Sequence, residues 1–286
     1  MKKRIMVLYS TGGMGHKKAA MALVEEFRKR PDVEAQPVDA LELAGKFYNY
    51  VYRDLYVKFM TGAKWIWGAL YDFTNVPVVD RLTRPIRLKM DLAGIAGLVP
   101  MIKRSGSDAI VATHFMLPSV AETLKRDKEI KARLYTVLTD YGPHSYWLSG
   151  AVDKFFVGSE KAALEMEKRG ISPSRLEVTG IPTESVFKES FDRDPLKAKY
   201  ALHPTRKTVF MLSGGFGVGH MREMLLAMNL CSSSLQVIAV CGHNKKIFKD
   251  LESLKADLKY PLILLGYTEK VAEIMAVSDI MVTKAG

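Results

Sequence analysis

The sequence predicts an α/β protein made of two Rossmann-like domains, and three observations lead there. Short apolar runs alternate with stretches of helical period almost throughout, the pattern of mainly parallel sheets covered by helices. Two glycine-rich loops each follow an apolar strand: Ser10-Thr11-Gly12-Gly13-Met14-Gly15-His16 and Ser213-Gly214-Gly215-Phe216-Gly217-Val218-Gly219-His220. Each loop then enters a helical pattern, over residues 17–30 and 221–230, so that backbone N–H groups and a helix N-terminus can meet an anion or polar ligand. At 286 residues the chain suits two domains of ordinary size, expected at 1–190 and 191–286 and facing one cleft.

Taken in order, the first domain's strands are expected at 4–9, 33–38, 108–112, 133–138, 154–157 and 175–179. Those of the second fall at 208–212, 235–240, 262–265 and 280–283. Between them, residues 180–206 carry Pro182, Pro195, Pro204 and many charges, and read as the interdomain connection with a short helix near 196–200. The chain stops at Gly286, directly after its last strand. An α/β unit normally continues through a turn and a covering helix, so a second domain truncated at its C-terminus is expected.

Hydrophobic content of 48% and charged content of 26% fit a folded globular protein. The net charge of +11 is uneven: residues 1–150 hold 23 Lys/Arg against 15 Asp/Glu, leaving 19 against 16 for the rest. A basic N-terminal half favours nucleic acid, phosphates or an acidic membrane surface. Nothing in the chain resembles an RNA-binding module, so nucleic acid is not an expected partner. Cys231 and Cys241 match no metal or redox spacing, which fits a reducing cytosol; no metal and no cofactor are expected. The basic start, Met1-Lys2-Lys3-Arg4, has the look of a signal peptide, but its short apolar run flows into the glycine loop and reads as a first strand. The longest weakly polar stretch, 92–102, is too short for a membrane span, which takes about 20 apolar residues.

Residues 47–73 hold 10 of the chain's 27 aromatic side chains, too rich a density for core packing alone. Tyr48, Tyr52, Tyr56 and Phe59 fall on one helical face, and Trp65, Trp67, Tyr71 and Phe73 follow. Residues 46–104 carry ten basic and four acidic side chains. Aromatic rings favour the headgroup layer and basic residues attract anionic lipid, so this segment is expected to touch a membrane surface without crossing it.

Two residues are placed for chemistry. His16 stands at the first turn after the glycine loop, where a neutral imidazole can take a proton from a hydroxyl near neutral pH; alternatively it caps the helix or contacts phosphate. Asp140 follows the strand at 133–138, at the end of the sheet where α/β proteins bind ligands. It can orient His16, hold an acceptor hydroxyl, or cap the following turn. His114 is a weaker candidate on the same rim. The dinucleotide fingerprint fails at its third glycine, despite Asp39 in a ribose-binding place, and no Walker loop occurs. In the second domain Gly214, Gly215, Phe216 and Gly217 can present amides to a diphosphate. The loops with Gly242 and Asn244, and with Gly266, Tyr267 and Thr268, are expected on the same edge.

Together these segments resemble the monogalactosyldiacylglycerol synthase and processive diacylglycerol glucosyltransferase family. The resemblance rests on Gly12-Gly13-Met14-Gly15-His16, Val137-Leu138-Thr139-Asp140 with Trp147 downstream, Val152-Asp153-Lys154-Phe155-Phe156-Val157 and Val178-Thr179-Gly180-Ile181-Pro182. It continues through Gly214-Gly215-Phe216-Gly217, Val240-Cys241-Gly242-His243-Asn244-Lys245-Lys246 and Thr283-Lys284-Ala285-Gly286. It implies a GT-B fold and inverting transfer of a hexose from UDP-glucose or UDP-galactose to diacylglycerol. His16 is then the base and Asp140 its partner or an acceptor ligand. Lys284 and Gly286 join the donor loops, and Gly13, Gly15, Tyr56, Trp65, Trp67, His114 and Trp147 serve the acceptor or membrane. A peripheral location on the inner face of the cell membrane follows. The family's residues beyond the Thr-Lys-Ala-Gly strand end, which hold the donor's phosphate and ribose, have no counterpart after Gly286, so the chain as it stands is expected to lack part of its donor site. Two rival readings remain: a UDP-GlcNAc-type transferase with a polyprenyl-linked acceptor, and a non-catalytic nucleotide- and lipid-binding protein.

Overall fold

The structure is a computed structural model that describes residues 2–55, 64–212 and 220–283. The chain divides into two compact units, Met1–Ser185 and Val186–Gly286. The boundary therefore falls inside the proline-containing stretch, with Pro182 in the first unit and Pro195 and Pro204 in the second.

In the first unit six strands form one parallel sheet: β1 (Lys3–Tyr9), β2 (Val33–Asp39), β3 (Ala109–Ala112), β4 (Arg133–Val137), β5 (Lys154–Val157) and β6 (Leu176–Val178). Their order is β2-β1-β3-β4-β5-β6, with Leu8 of β1 paired to Val38 on one side and Ala112 on the other. Alternate side chains of β1 serve opposite faces. Met6 and Leu8 pack with Ile95, Leu98, Ile102, Leu117 and Val120, while Val7 and Tyr9 pack with Ala20 and Val24. Burial on both faces is why the central strands β1 and β3 read as apolar runs, each enclosed Val or Leu contributing about 1.5–3 kcal/mol, whereas the edge strands β2 and β6 are exposed or half-buried over most of their length.

Helix α1 (Met14–Arg28) starts directly after Gly13 and buries Ala19, Ala20, Ala22 and Val24. It begins earlier than the expected 17–30, which sets His16 inside its first turn. Between β2 and β3 the chain inserts a helical group: α2 (Lys46–Asn49) running into a π-helical segment (Tyr50–Leu55), then α3 (Lys64–Thr74), α4 (Pro77–Gly94) and α5 (Leu98–Ser105). α6 (Met116–Arg126) and α7 (Glu160–Lys168) complete the unit. Ser159 caps α7 by accepting from the Ala162 N–H at 3.2 Å.

The second unit has α8 (Arg193–Lys199), β7 (Lys207–Leu212), α9 (Met221–Ala227), β8 (Leu235–Val240), α10 (Lys245–Leu254), β9 (Leu262–Leu265), α11 (Val271–Val277) and β10 (Ile280–Thr283). Its parallel sheet has the order β10-β7-β8-β9, and all six residues of β8 are buried. α9 ends at Ala227, and a 3₁₀ segment, Met228–Ser234, replaces the last turn of the helix expected to reach 230.

The chain winds outward from β1 to β2 in one direction and from β3 to β6 in the other. Such a reversal opens a crevice at the C-terminal ends of the two strands that flank it, here β1 and β3. In the second unit the reversal falls between β7 and β10.

Candidate active site

The crevice at β1 and β3 contains His16. Its Nδ1 lies 2.9 Å from the main-chain oxygen of Thr113, just past β3, and 2.6 Å from Oγ1 of Thr139, just past β4. A carbonyl oxygen only accepts, so Nδ1 carries the ring proton. The Thr139 hydroxyl in turn donates to the same carbonyl at 3.3 Å. That arrangement leaves the lone pair of the neutral ring on Nε2. Glycine at 13 keeps this nitrogen uncovered: a Cβ there would stand 2.9 Å from Cδ2 and 3.4 Å from Nε2 of a ring already held in place. A Cβ on Gly15 meets nothing within 4 Å, so that position carries no such requirement. The loop itself is held by Asp39, whose Oδ1 accepts from the N–H groups of Thr11 at 3.4 Å and Leu41 at 3.0 Å. Asp39 is thus a buried loop anchor.

Burial lowers the His16 pKa below 6.5, and the nearby Asp140 carboxylate and the Thr113 carbonyl bond act in the opposite direction. Asp140 is fixed by Trp147, whose Nε1–H donates to Oδ2 at 2.7 Å. Orientation of His16 therefore comes from Thr113 and Thr139, and Asp140 acts on the ring through its charge. Trp147, expected at the acceptor or membrane surface, is 0% exposed; it lies in the core with Phe155 and Met166. His114 is likewise buried and cannot meet a membrane. Its ring stands edge-on to His16 at 4.6 Å, and burial, followed by repulsion from His16, holds its pKa well below 6.5. Two neutral imidazoles in contact make a site that resists gaining a second charge.

In the second unit the loops after β8 and β9 come together. A Cβ on Gly266 would lie 3.8 Å from the Gly242 carbonyl, and the His243 and Tyr267 rings stack at 4.3 Å with 12° between planes. Gly242 has φ of +59°, a left-handed turn that favours glycine. Asn244 caps α10 by accepting from the Ile247 N–H at 3.0 Å, and the Thr268 hydroxyl accepts from the Lys270 N–H at 3.1 Å. The expected donor residues Gly214, Gly215, Phe216, Gly217, Lys284 and Gly286 lie outside the described residues.

A family model for monogalactosyldiacylglycerol (MGDG) synthase matches residues 16–183, from His16 to beyond the end of β6. The chain belongs to the MGDG synthase family. Relatives of this member include the processive diacylglycerol beta-glucosyltransferases of Bacillus licheniformis (26% identical) and Bacillus subtilis strain 168 (27%), each match covering 99% of this chain and 73% of the relative. That of Bacillus cereus strain G9842 is 28% identical over 99% of this chain and 71% of its own length. Among solved structures, the S. aureus MnaA–UDP co-structure has a TM-score of 0.58 at 15% identity, covering 99% of this chain and 74% of that one. Anabaena HepE in complex with UDP-glucose gives 0.58 at 14% identity over 97% and 72% of the two chains, and Acinetobacter baumannii MurG gives 0.56 at 13% over 100% and 72%. These likenesses establish the GT-B fold for this family member.

The aromatic segment of this MGDG synthase family member divides into core and surface. Tyr48 is buried and Tyr52 half-buried, their rings stacked at 4.4 Å and their hydroxyls donating to Asp91 at 2.6 and 3.2 Å. The expected surface face thus points inward at these two positions. Tyr56, Phe59 and the Trp67 side chain lie outside the described residues. Trp65 is 78% exposed, and Leu70, Tyr71 and Phe73 on α3 are exposed with it. Sequence reasoning missed a second surface on α4, where Val78, Leu82, Ile86 and Met90 are all exposed at a spacing of four; that spacing was the available signal. It also missed His144, which ties the loop behind Asp140 to α3. Its Nε2–H donates to the Tyr71 carbonyl at 3.1 Å and its Nδ1 accepts from the Tyr146 N–H at 3.2 Å. No described helix is long and apolar enough to cross a membrane.

Proposed function

We propose that the chain transfers a hexose from a UDP-sugar to the free hydroxyl of diacylglycerol at a membrane surface, with inversion at the anomeric carbon. The observation that carries this reading is the 2.9 Å contact between His16 Nδ1 and the Thr113 carbonyl, an acceptor that calls for the proton on Nδ1 and leaves the lone pair of Nε2 for a substrate proton. In the reaction the acceptor oxygen attacks the anomeric carbon as its proton passes to Nε2. The bond from that carbon to the UDP oxygen breaks, and UDP departs with the electron pair. Asp140, fixed by Trp147, stabilises the imidazolium that forms. The donor is assigned to the strand-end loops of the second unit, including Gly242, Asn244, Gly266, Tyr267 and Thr268, in a reading that calls for no metal ion. Glucose is the favoured hexose, because the Bacillus relatives are named beta-glucosyltransferases. An α-linked UDP-sugar and a β-linked product require one displacement at carbon, which matches a single base.

The exposed rings of α3 and the apolar row of α4 support a peripheral attachment to the cytoplasmic leaflet. The test is to incubate the full-length natural protein with labelled UDP-glucose or UDP-galactose and diacylglycerol vesicles, then identify the lipid product and its anomeric form. A β-glucosyl-diacylglycerol is expected. Transfer only to a polyprenyl-linked acceptor, or none with any lipid, would refute the reading.

A further inference from the structure

The chain that follows Asp140 runs at once to the surface, where Tyr141 is 73% exposed and Gly142 is exposed with it. The carboxylate is therefore not held by its own neighbours, and its bond from Trp147 leads to a 3₁₀ turn, Ser145–Trp147. Core packing fixes the depth of the buried indole, but such packing is non-directional. The direction of its N–H depends on how the turn is set, and the turn is set from outside by the end of α3. Asn75, one residue past α3, keeps its own N–H in the helix, on the Tyr71 carbonyl at 3.0 Å. Its carbonyl, left without an intrahelical donor at a helix end, accepts from the Ser145 hydroxyl at 2.8 Å. Its side-chain Oδ1 accepts from the Ser145 N–H at 2.9 Å and from the Arg169 guanidinium, just past α7, at 2.7 Å. Both lone pairs of that oxygen are thus used, one of them by a charged donor.

We propose that Asn75 is a positioning residue for Asp140: it clamps the Ser145–Trp147 turn so that the Trp147 N–H holds the carboxylate beside His16. It touches no reacting group and acts only through Asp140. Two features separate it from an ordinary helix end. Ser145 and Arg169 lie 70 and 94 residues away in the chain, so one amide joins three segments of the unit. Only Asn75 and Val76 separate α3 from α4, which opens with Pro77, so the clamp stands on a short corner whose backbone is restricted before a proline. Ser145 is buried, and water cannot replace the bond to its N–H. Without Asn75 the turn must shift to recover a partner, and the indole N–H shifts with it.

This inference takes the pairing of His16 with Asp140 from the proposed function, and its test reads that pair without requiring sugar transfer. The His16 imidazole is titrated by NMR in histidine-labelled protein, its resonance identified by its loss in His16→Ala. The titratable groups acting on His16 are Asp140, which raises its proton affinity, and His114, which burial keeps neutral. Asn75→Ala changes no charge, so the His16 midpoint can move only through groups that are displaced. It is expected to fall, with proton affinity reduced by about threefold or more as the carboxylate recedes. Asn75→Asp keeps the accepting oxygen and is expected to return the midpoint at least to its original place. In an Asp140→Asn background Asn75→Ala should have no further effect. An unmoved midpoint in folded Asn75→Ala overturns the inference, as does failure of Asn75→Asp to restore it. An equal fall in the Asp140→Asn background also overturns it, since the effect would then come from another group such as Arg169. Should Asn75→Ala not fold, Ser145→Ala removes a single bond of the clamp and decides the matter: a fall supports the inference and no change overturns it. The expected fall, with no sugar transfer by the full-length natural protein, would count against the proposed function alone.

Discussion

At the scale of single residues, one main-chain carbonyl decides the chemistry of the site. Thr113 takes the proton-bearing nitrogen of His16, and Gly13 leaves the other nitrogen open. His16→Ala should lower kcat by about 10²–10⁴-fold, the usual worth of a general base, while UDP affinity measured by calorimetry stays within about twofold. Gly13→Ala should lower kcat/KM by roughly tenfold or more through the intruding methyl, with little change in Tm. Because burial holds the His16 pKa below 6.5, kcat/KM should climb with pH along an acid limb below that value and be flat above it. The Asp140 charge raises this pKa, so Asp140→Asn should move the limb further down. It should also lower the plateau by about 10²-fold, since the imidazolium loses its counter-charge. A limb that moved up would contradict the electrostatic role. The sequence made His16 and Asp140 legible because both sit where a parallel strand ends. Thr113 and Thr139 were not legible as partners, because they reach His16 from 97 and 123 residues away and are ordinary residues by type.

Elements show a different division. All ten expected strands are present with ends within a residue or so. The pattern is strongest in central strands such as β3 and β8, apolar runs with buried side chains, while the edge strands β2 and β6 are exposed or half-buried over most of their length. The inserted helices between β2 and β3 are less readable. The Tyr48–Tyr52 spacing identified a helical face, but its direction depends on Asp91, a buried carboxylate on α4 that needs their hydroxyls. The same helix turns Val78, Leu82, Ile86 and Met90 outward. Leu82 is 71% exposed, so Leu82→Glu should leave folding stability within about 0.5 kcal/mol. If α4 enters the headgroup layer, the loss of one buried leucine should lower partition onto vesicles by roughly tenfold or more in a sedimentation assay. Unchanged partition would remove α4 from the membrane contact.

For the whole molecule, the +11 charge is concentrated in the first 150 residues, which also carry the exposed rings of α3 and the apolar row of α4. Each Lys or Arg near an anionic leaflet contributes about 1 kcal/mol, an attraction screened over roughly 8–10 Å at ordinary salt. Binding to anionic vesicles should therefore exceed binding to zwitterionic ones by about tenfold or more at low salt, and the difference should shrink as salt is added. Equal binding at low salt would contradict it. The sequence by itself determined the α/β class, the strands, the glycine loop before His16 and the family, because each is written in contiguous residues whose period or spacing survives in one dimension. Only the tertiary structure decided which nitrogen of His16 is free, that Trp147 holds Asp140 instead of meeting lipid, and which aromatic rings face outward. Those properties depend on which distant segment supplies the hydrogen-bond partner, and partners brought together by the sheet order leave no local mark on the chain.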